Sequence, residues 1–364
     1  MAYTTIDDPS AYFQTVLWTG NDETDRAITN TGNSDLQPDW VWIKCRNDTY
    51  DHVIVDSSRG ASTSTTGTQL SSNLNAAEPS NTNGHVKSFN SDGFNVRSGS
   101  SGSNPLVGVN KDAKTYVAWQ WKANGGTRTT NSESGDNPAG GYQANTTAGF
   151  SIVDYTGTGA TGTMAHGLGA VPHCIIAKQR TAVGGVAEWV VYHKSMGNTH
   201  YMKMSTNVAQ IDSSGLWNDT SPTSSVFTVN TSHQINADTG SYIAYVFTPI
   251  KGYSKFGSFT GNGNADGTFI YTGFKPAFFI WKVVNEPGGW GLIDSTRNPS
   301  NQGFYQAFPH DTGEGNYALG DFVSNGIKLR NTFGDTNGSG DTHIYMAFAE
   351  HPFVSSEGVP CTAR

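Results

Sequence analysis

The stretch GFKPAFFIWKVV, residues 273–284, shows the pattern that decides the fold. Pro276 is followed by an unbroken apolar run, and Lys282 stands six positions after the proline. Proline fixes φ and lacks a backbone donor, so it suits the first residue of a strand. Apolar residues at successive positions indicate a central strand that is covered on both faces. We expect Lys282 to mark the point where this strand emerges into water.

The same layout occurs at two other places in the chain. These stretches are LQPDWVWIKCRN (36–47) and GAVPHCIIAKQR (169–180). In each of them a lysine again follows the proline by six positions, so that Lys44 follows Pro38 and Lys178 follows Pro172. We therefore expect Pro38, Pro172 and Pro276 to open equivalent strands.

Three further kinds of landmark recur in the same order around these strands. Upstream lie LWTGND (17–22), DYTGTG (154–159) and SFTGNG (258–263), each with an aromatic residue, Thr and Gly. Downstream lie VIVDSSRG (53–60), VVYHKSMG (190–197) and LIDSTRNP (292–299), and then the closing segments KTYVAWQW (114–121), GSYIAYVF (240–247) and DTHIYMAF (341–348). Self-similarity of this kind predicts a repeated folding unit.

The composition favours strands over helices. Charged residues make up 14% of the chain, against roughly 25% in an average globular protein. Leu, a strong helix former, occurs only ten times, whereas there are 43 Gly residues. Gly, Asn and Asp tolerate the positive φ of tight turns, and aromatic and β-branched residues suit a pleated face. The sequence therefore predicts an all-β protein.

The landmarks divide the chain into three tandem units, each the size of an immunoglobulin-like or jelly-roll β-sandwich. The predicted boundaries are an N-terminal arm (1–11), unit one (12–124), a flexible linker (125–148), unit two (149–252), unit three (253–353) and a C-terminal tail (354–364). The linker prediction rests on a segment without periodicity and with almost no apolar residue.

Charge and hydropathy exclude several classes of protein. The formal net charge is -8 and the pI is about 5.6, so no basic surface is available to neutralise nucleic acid. The sequence contains no apolar run long enough for a membrane span and no signal-peptide pattern at its start. Cys45, Cys174 and Cys361 are widely scattered and lack zinc-ligand spacing. We expect no nucleic-acid binding and no membrane insertion.

Long stretches of the chain resemble a repeated domain of virion structural proteins from marine tailed bacteriophages, many of them tail fibre or tail proteins. The stretches that carry the resemblance are DDPSAYFQTVLWTGN (7–21), NSDLQPDWVWIKCR (33–46), YVAWQWKANGGT (116–127), AHGLGAVP (165–172), GYSKFGSFTGNGNADGTFIYTGFKP (252–276) and IYMAFAEHPFVSSEGVPCTAR (344–364). The resemblance implies a role in the virion and a lectin-like, concanavalin-like or jelly-roll-like sandwich. It brings no catalytic or binding residues with it.

The same resemblance implies a place of assembly and a set of partners. Assembly in the host cytoplasm and release by lysis would account for a chain without an export signal. The expected partners are other virion proteins, further copies of the chain in a homo-oligomer such as a trimer, and a host surface glycan. The two terminal arms are expected to be available for docking.

Four aromatic residues outside the landmarks are candidates for carbohydrate binding. They are Trp217, Trp290, Tyr305 and Tyr317. An aromatic ring beside Asn, Asp and Gly on an exposed loop can stack on a sugar ring while polar neighbours bind its hydroxyls. Packing in the core is the alternative for each of them.

The stretch DTNGSGD (335–341) resembles the first half of a calcium loop. In such a loop, oxygen ligands at alternate positions converge around a glycine turn, which would make Asp335, Asn337 and Asp341 structural calcium ligands. Met346 stands where the loop requires a bidentate Glu. A turn before the last strand explains the same residues.

The sequence carries no strong catalytic motif, and we expect no enzymatic activity and no cofactor. GTGATG (157–162) satisfies a dinucleotide-binding pattern, but no helix is expected to follow it. Paired carboxylates among Glu188, Glu286 and Glu314 would be needed for glycoside hydrolysis. Together with this absence of catalytic motifs, the resemblance implies a virion adhesion protein, a tail fibre, spike or tail-associated component. A capsid decoration or head-fibre protein and a polysaccharide depolymerase are the alternatives.

Overall fold

The computed structural model of the protein describes residues 3–61, 67–101 and 106–361. Strands hold 42% of the residues and helices 4%, which confirms the predicted all-β class. None of the helices in the described part of the chain is long and apolar enough to cross a membrane.

Most strands belong to three segments of the chain: the first segment is 12–124, the second is 149–252 and the third is 253–353. After a 3-10 helix at Pro9–Ala11, the first segment contains β1 (Phe13–Thr19), β2 (Asp25–Ile28), β3 (Trp40–Cys45), β4 (Val53–Asp56), β5 (Gly67–Thr68), β6 (Ser80–Asn81), β7 (His85–Phe89), β8 (Phe94–Arg97) and β9 (Thr115–Trp121). Between the first and second segments lie β10 (Thr129–Asn131) and β11 (Ala139–Asn145).

The second segment contains β12 (Phe150–Thr156), β13 (Gly162–Ala165), β14 (Cys174–Gln179), β15 (Trp189–His193), β16 (His200–Lys203), β17 (Ile211–Asp212), α1 (Ser214–Trp217), β18 (Val226–Val229), α2 (His233–Asn236) and β19 (Ser241–Phe247). The third contains β20 (Ser254–Thr260), β21 (Phe269–Tyr271), β22 (Phe274–Val283), β23 (Trp290–Asp294), β24 (Gly303–Ala307), β25 (Glu314–Val323), β26 (Gly326–Leu329), α3 (Gly334–Asn337) and β27 (Thr342–Pro352).

One strand order recurs in the three large sheets. The four-stranded sheet has the order β1-β9-β3-β4, and the two eight-stranded sheets contain β12-β19-β14-β15 and β20-β27-β22-β23. In each case the closing strand lies between the opening strand and the strand that follows the proline. All neighbouring pairs in these orders are antiparallel.

The pairing register also recurs. In each segment, the residue four positions after the proline faces the same position of the closing strand, and the pairs are Trp42 with Trp119, Ile176 with Tyr245 and Ile280 with Met346. A slip by one residue would turn every side chain of a strand to the other face. The shared register therefore places equivalent side chains on equivalent faces.

The prolines do not all open their strands in the predicted way. β3 begins two residues after Pro38 and β14 begins two residues after Pro172. Pro276 instead lies inside β22, where the pairing with β27 shifts its register. This local irregularity of the ladder accommodates the proline, because proline cannot donate a ladder hydrogen bond.

One face of each of the three sheets contributes to a single central cluster. At its middle, Phe348 lies edge to face with Trp121 at 5.6 Å and with Phe247 at 5.8 Å between ring centroids. These three aromatic residues hold the same position in the closing strands of the three segments, because Trp121 pairs with Trp40, Phe247 with Cys174 and Phe348 with Phe278. The segments therefore share a core.

The opposite faces pack on separate outer clusters. In the first segment, Val41 and Ile43 of β3 belong to one buried cluster with Phe94 and Val96 of the small sheet β2-β8-β7. The second and third segments each have an outer cluster of their own. This double coverage confirms the prediction that β3, β14 and β22 are buried on both faces.

The segment predicted to be a flexible linker, 125–148, contains two strands. β10 pairs with β11, and β11 pairs with β12 along seven residues, so the segment extends the second sheet. The flexible-linker prediction is therefore wrong for these residues. Polar, Gly-rich stretches still provide backbone hydrogen bonds to a sheet edge, and Tyr142 and Gln143 pack against neighbours on alternate sides.

The N-terminal arm lies against the second and third segments instead of extending into solvent. Ile6 is buried, the Thr4 hydroxyl donates to the carbonyl of Lys251, and Tyr3 donates to the carbonyl of Gly273 at 2.7 Å. Asp7 accepts hydrogen bonds from Ser356 in the C-terminal tail. The described residues of the arm are thus already bound within the chain, which corrects the expectation of a free docking arm.

Phe348→Ala tests the shared core. The substitution should lower the free energy of unfolding by about 3–5 kcal/mol, because it removes a ring that contacts all three segments. Phe269→Ala is the matched control, since Phe269 is 46% exposed. Guanidinium denaturation followed by tryptophan fluorescence and far-UV circular dichroism should give one coincident transition for the wild type. Separate transitions for the three segments would contradict the shared core.

Candidate functional site

The three repeated lysines lie inside the protein, so the prediction that they mark the emergence of the strand into water is wrong. Lys44, Lys178 and Lys282 are each 1% exposed or less. Each ammonium donates to backbone carbonyls: Lys44 to Cys45, Lys178 to Ala187 and Lys282 to Val283. Burial lowers the pKa of Lys178 to about 7 and that of Lys282 to about 8, and it also lowers the pKa of Lys44.

The repeated landmark after the second strand forms buried ion pairs in two of the segments. Asp56 pairs with Arg59, and Asp294 pairs with Arg297; the side chains of all four are inaccessible to solvent. A second carboxylate completes each set, from Glu78 for Arg59 and from Glu314 for Arg297. In the second segment, His193 and Met196 occupy the positions of the Asp and the Arg.

Each of these positions meets a closing strand of another segment. Tyr245 of the second segment donates to Asp56 of the first at 2.8 Å, and Trp119 of the first donates to Asp294 of the third at 3.0 Å. His193 of the second segment meets the backbone carbonyl of Tyr345 in the third at 3.1 Å. The contacts run from one segment to the next and close into a ring.

A second ring of hydrogen bonds joins the same three segments. Trp189 donates its indole N–H to the carbonyl of Ser71, Trp290 donates to Lys203, and His52 holds the equivalent position against Phe308. The other nitrogen of His52 accepts from Trp42 at 2.8 Å, which fixes the neutral tautomer. Burial lowers the pKa of His52 to about 3. These repeated side chains are engaged inside the scaffold.

The repeated glycine of the Thr-Gly landmark is required by close backbone contact. A Cβ atom on Gly20 would lie 2.0 Å from the carbonyl oxygen of Lys111, and one on Gly157 would lie 2.2 Å from that of Ala237. Gly162, the last glycine of the GTGATG stretch, begins strand β13 and not a helix. The helix N-terminus that a dinucleotide-binding loop needs does not follow.

The four aromatic candidates for carbohydrate binding do not form one site. Trp217 is buried in the outer cluster of the second segment and Trp290 in the central cluster, so neither presents a ring face to solvent. Tyr305 is 41% exposed and lies under the guanidinium of Arg46, 5.2 Å from its ring centroid. Tyr317 is 51% exposed. Both tryptophans are thus packed in the core, and both tyrosines are accessible to solvent.

The predicted calcium ligands point to different partners. The Asn337 amide is buried and donates to Asn262, Asn264 and Asn331, which fixes the loop around α3. Asp335 accepts from the backbone N–H of Gly289 at 3.1 Å. Among the described residues, no three His, Cys, Asp or Glu side chains form a group that could hold a metal ion. Calcium binding by Asp335, Asn337 and Asp341 stays a prediction.

The carboxylates considered for hydrolysis have separate structural partners. Glu314 pairs with Arg297 and Arg46, and Glu188 accepts from Ser205. Glu286 is exposed, and the negative charge of Asp341 raises its pKa.

An exposed groove runs along the third segment between the β24–β25 hairpin and α3. The part next to α3 has a volume of about 410 Å³, which is within the roughly 300–1,000 Å³ of ligand sites. Tyr317 and Phe333, the latter 48% exposed, stand edge to face with ring centroids 5.8 Å apart. Phe308 completes the aromatic wall. Gly315 permits this arrangement, because a Cβ there would lie 2.8 Å from the Phe308 ring.

The groove continues toward the second segment, where Asn207, His310 and the edge of Trp290 line it. Gln306 and Asp335 border both parts. His310 accepts from the backbone N–H of Trp290 at 3.2 Å through Nδ1, and burial lowers its pKa. At neutral pH the ring is therefore uncharged, with its proton on Nε2 available as a donor.

Sequence reasoning found Tyr317 and Asp335 but missed Gln306, Phe308 and Phe333. It assigned Asp335 to a metal site and Tyr317 to a separate loop. The signal that could have found the groove is the departure of the third segment from the repeat. Phe333 precedes α3 at the position where Ser232 precedes α2, and Ser232 is a conventional N-cap.

Comparison with known proteins gives the family of the chain. A family model described as "Domain of unknown function (DUF7483)" matches residues 8–352, and the chain therefore belongs to this family. The matched region includes all three four-strand sets. No curated protein and no solved structure matches the chain.

Asp294→Asn tests the buried ion pairs. The substitution keeps the size of the side chain but leaves the Arg297 charge with fewer compensating contacts, so the free energy of unfolding should fall by about 3 kcal/mol. Asp266→Asn is the control, because Asp266 pairs with Lys328 while its side chain is 78% exposed; it should change stability by less than about 0.5 kcal/mol. Guanidinium denaturation at pH 7 measures both. Equal effects would contradict the structural role of the buried pair.

The pH dependence of stability tests the buried lysine. The folded-state pKa of Lys178 is lowered to about 7 from 10.5, so unfolding takes up a proton between these two values. Stability should therefore rise with pH from about 7, and Lys178→Met should reduce that rise by about 1.4 kcal/mol per pH unit.

Denaturation of both proteins at pH 7.0 and 8.5 measures the difference in slope. Lys87→Met is the control, since the side chain of Lys87 is 26% exposed. Parallel slopes for the wild type and Lys178→Met would show that Lys178 is charged inside the folded protein.

Proposed function

We propose that this member of the DUF7483 family is a non-catalytic structural protein of a bacteriophage virion, a tail fibre or tail-associated component that contacts host surface glycans. We further infer that the three four-strand sets are related β units joined in one chain. Its partners in this proposal are other virion proteins and further copies of the chain.

The observation that carries this proposal is that the repeated polar side chains bind other groups of the same protein. The lysines bind carbonyls, the Asp–Arg–Glu sets bind each other, and the ring nitrogens bind the neighbouring segment. Residues kept for a reaction would instead converge on a cleft with accessible nucleophiles, acids or bases. The resemblance of long stretches of the chain to virion structural proteins supports the phage assignment.

The inference that the three four-strand sets are related units rests on their strand order and pairing register. Three sets with one order, one register and one direction of neighbour contacts are the expected result of duplicating a β unit. The outer clusters give each unit its own layer of packing. The shared central cluster distinguishes the arrangement from three independent sandwiches on a string.

Immunogold electron microscopy of purified phage particles, with an antibody against the protein, tests the proposed role. Label at the tail is the expected result. Label on the capsid would instead identify a decoration or head-fibre protein and would move the proposed location. Absence of the protein from particles by peptide mass spectrometry would refute a virion role. Release of reducing ends from host polysaccharide by the purified protein would refute the non-catalytic assignment.

A further inference from the structure

We propose that the groove of the third segment, lined by Tyr317, Phe333, Phe308, Gln306 and Asp335, binds a neutral pyranose ring of a glycan. The inference extends the proposed adhesion role to one place on the molecule and one class of ligand. It rests on three kinds of observation: exposed aromatic rings, buried polar groups without partners, and a missing helix cap.

Exposed aromatic rings supply the apolar contact. Tyr317 and Phe333 are about half exposed, although each would bury a large apolar area if it were packed. Single exposed aromatics are common on protein surfaces, but here two of them meet and Phe308 continues their wall. A pyranose has one face of C–H groups that packs on such a wall.

Buried polar groups in the same groove have no partner among the described residues. The Gln306 side chain is 6% exposed and that of Thr336 is 3% exposed. Neither the Gln306 amide nor the Thr336 hydroxyl makes a hydrogen bond with another described residue, and both side chains line the groove. Neither group is among the described polar atoms that are sealed from solvent without a partner, so both reach the groove and are available to a ligand.

The polar groups match the hydroxyls of a sugar. Gln306 offers a donor and an acceptor, His310 offers a donor, and one oxygen of Asp335 accepts from Gly289 while the other is free to accept. Ring hydroxyls both donate and accept. The carboxylates of Asp335 and Asp311 border the groove and would repel an anionic ligand, which favours neutral sugars over uronic or sialic acids.

The helix cap indicates that the aromatic wall was kept at a cost to local stability. Ser232 caps α2 by accepting from the backbone N–H of Gln234, whereas Phe333 precedes α3 with no side-chain cap. An apolar residue at an N-cap destabilises a helix, and local rules are broken mainly where function requires it. In place of a capping side chain, Phe333 presents an exposed aromatic ring to the groove.

Saturation-transfer difference NMR on the full chain tests the proposal. The probes are the methyl glycosides of glucose, galactose, mannose and N-acetylglucosamine, with methyl glucuronoside as the anionic comparison. At least one neutral glycoside should receive saturation on its ring protons, and its affinity should exceed that of the glucuronoside. No signal from any neutral glycoside, or equal binding of the glucuronoside, would overturn the proposal.

Three variants assign the binding to the groove. Tyr317→Ala should weaken binding about tenfold, the effect of losing one aromatic contact, whereas Tyr317→Phe should retain it. Phe333→Ser should abolish detectable binding while leaving the melting temperature no lower than that of the wild type, because it restores a capping residue. The last measurement separates loss of the ligand contact from loss of the fold.

Tyr305→Ala is the matched control, since Tyr305 is exposed on the neighbouring strand but lies against Arg46 outside the groove. Equal loss in Tyr305→Ala and Tyr317→Ala would overturn the assignment to the groove. Failure of sugar binding in a protein that is present on particles would refute this inference alone. Sugar binding by a protein that is absent from particles would refute only the virion role.

Discussion

The central aromatic cluster is the interaction on which the rest of the structure depends. Trp121, Phe247 and Phe348 come from three segments of the chain and meet through ring contacts. Each sheet has one face committed to this cluster and the other to an outer layer. A segment separated from its neighbours would expose large aromatic side chains, each of which contributes about 1.5–3 kcal/mol when buried. The three segments therefore depend on one another for stability.

Apolar packing alone does not determine how three similar sheets are arranged around a shared core. The buried hydrogen bonds do so, because each requires a particular neighbour. Asp56 accepts a hydrogen bond from Tyr245, and Asp294 accepts one from Trp119. At the equivalent place in the second segment, His193 lines a small cavity together with Met346, whose side chain could not donate to a carboxylate. A lone buried Asp at that position would lack both an Arg and a donor, at a substantial desolvation cost. A buried polar pair adds little to stability compared with an apolar pair of similar volume, although removal of one partner alone is costly. We infer that the contribution of these pairs is to specify the order of the segments.

The sequence predicted the repeated elements because their signals are local. Proline, an apolar run and a glycine in close backbone contact each act within a few residues, and β3, β14 and β22 follow from them. The burial of Lys178 could not be predicted in this way, because it depends on a distant residue. The Lys178 ammonium donates to the backbone carbonyls of Leu74 and Ala187, and Leu74 belongs to another segment. The strands at 129–131 and 139–145 were missed because they form the edge of the second sheet and the position next to it, where few apolar residues are needed.

The candidate site could be predicted only in part, for a related reason. A repeat in the sequence reveals the positions that are alike in all three segments. In every segment, the side chains at those positions stabilise the fold. The groove forms where the third segment differs: Phe333 replaces a capping serine, and the β24–β25 hairpin carries Phe308 and Tyr317. Once the repeated residues hold the three sheets together, such local departures leave the arrangement of the core unchanged. A binding surface can therefore arise in one segment at no cost to the other two.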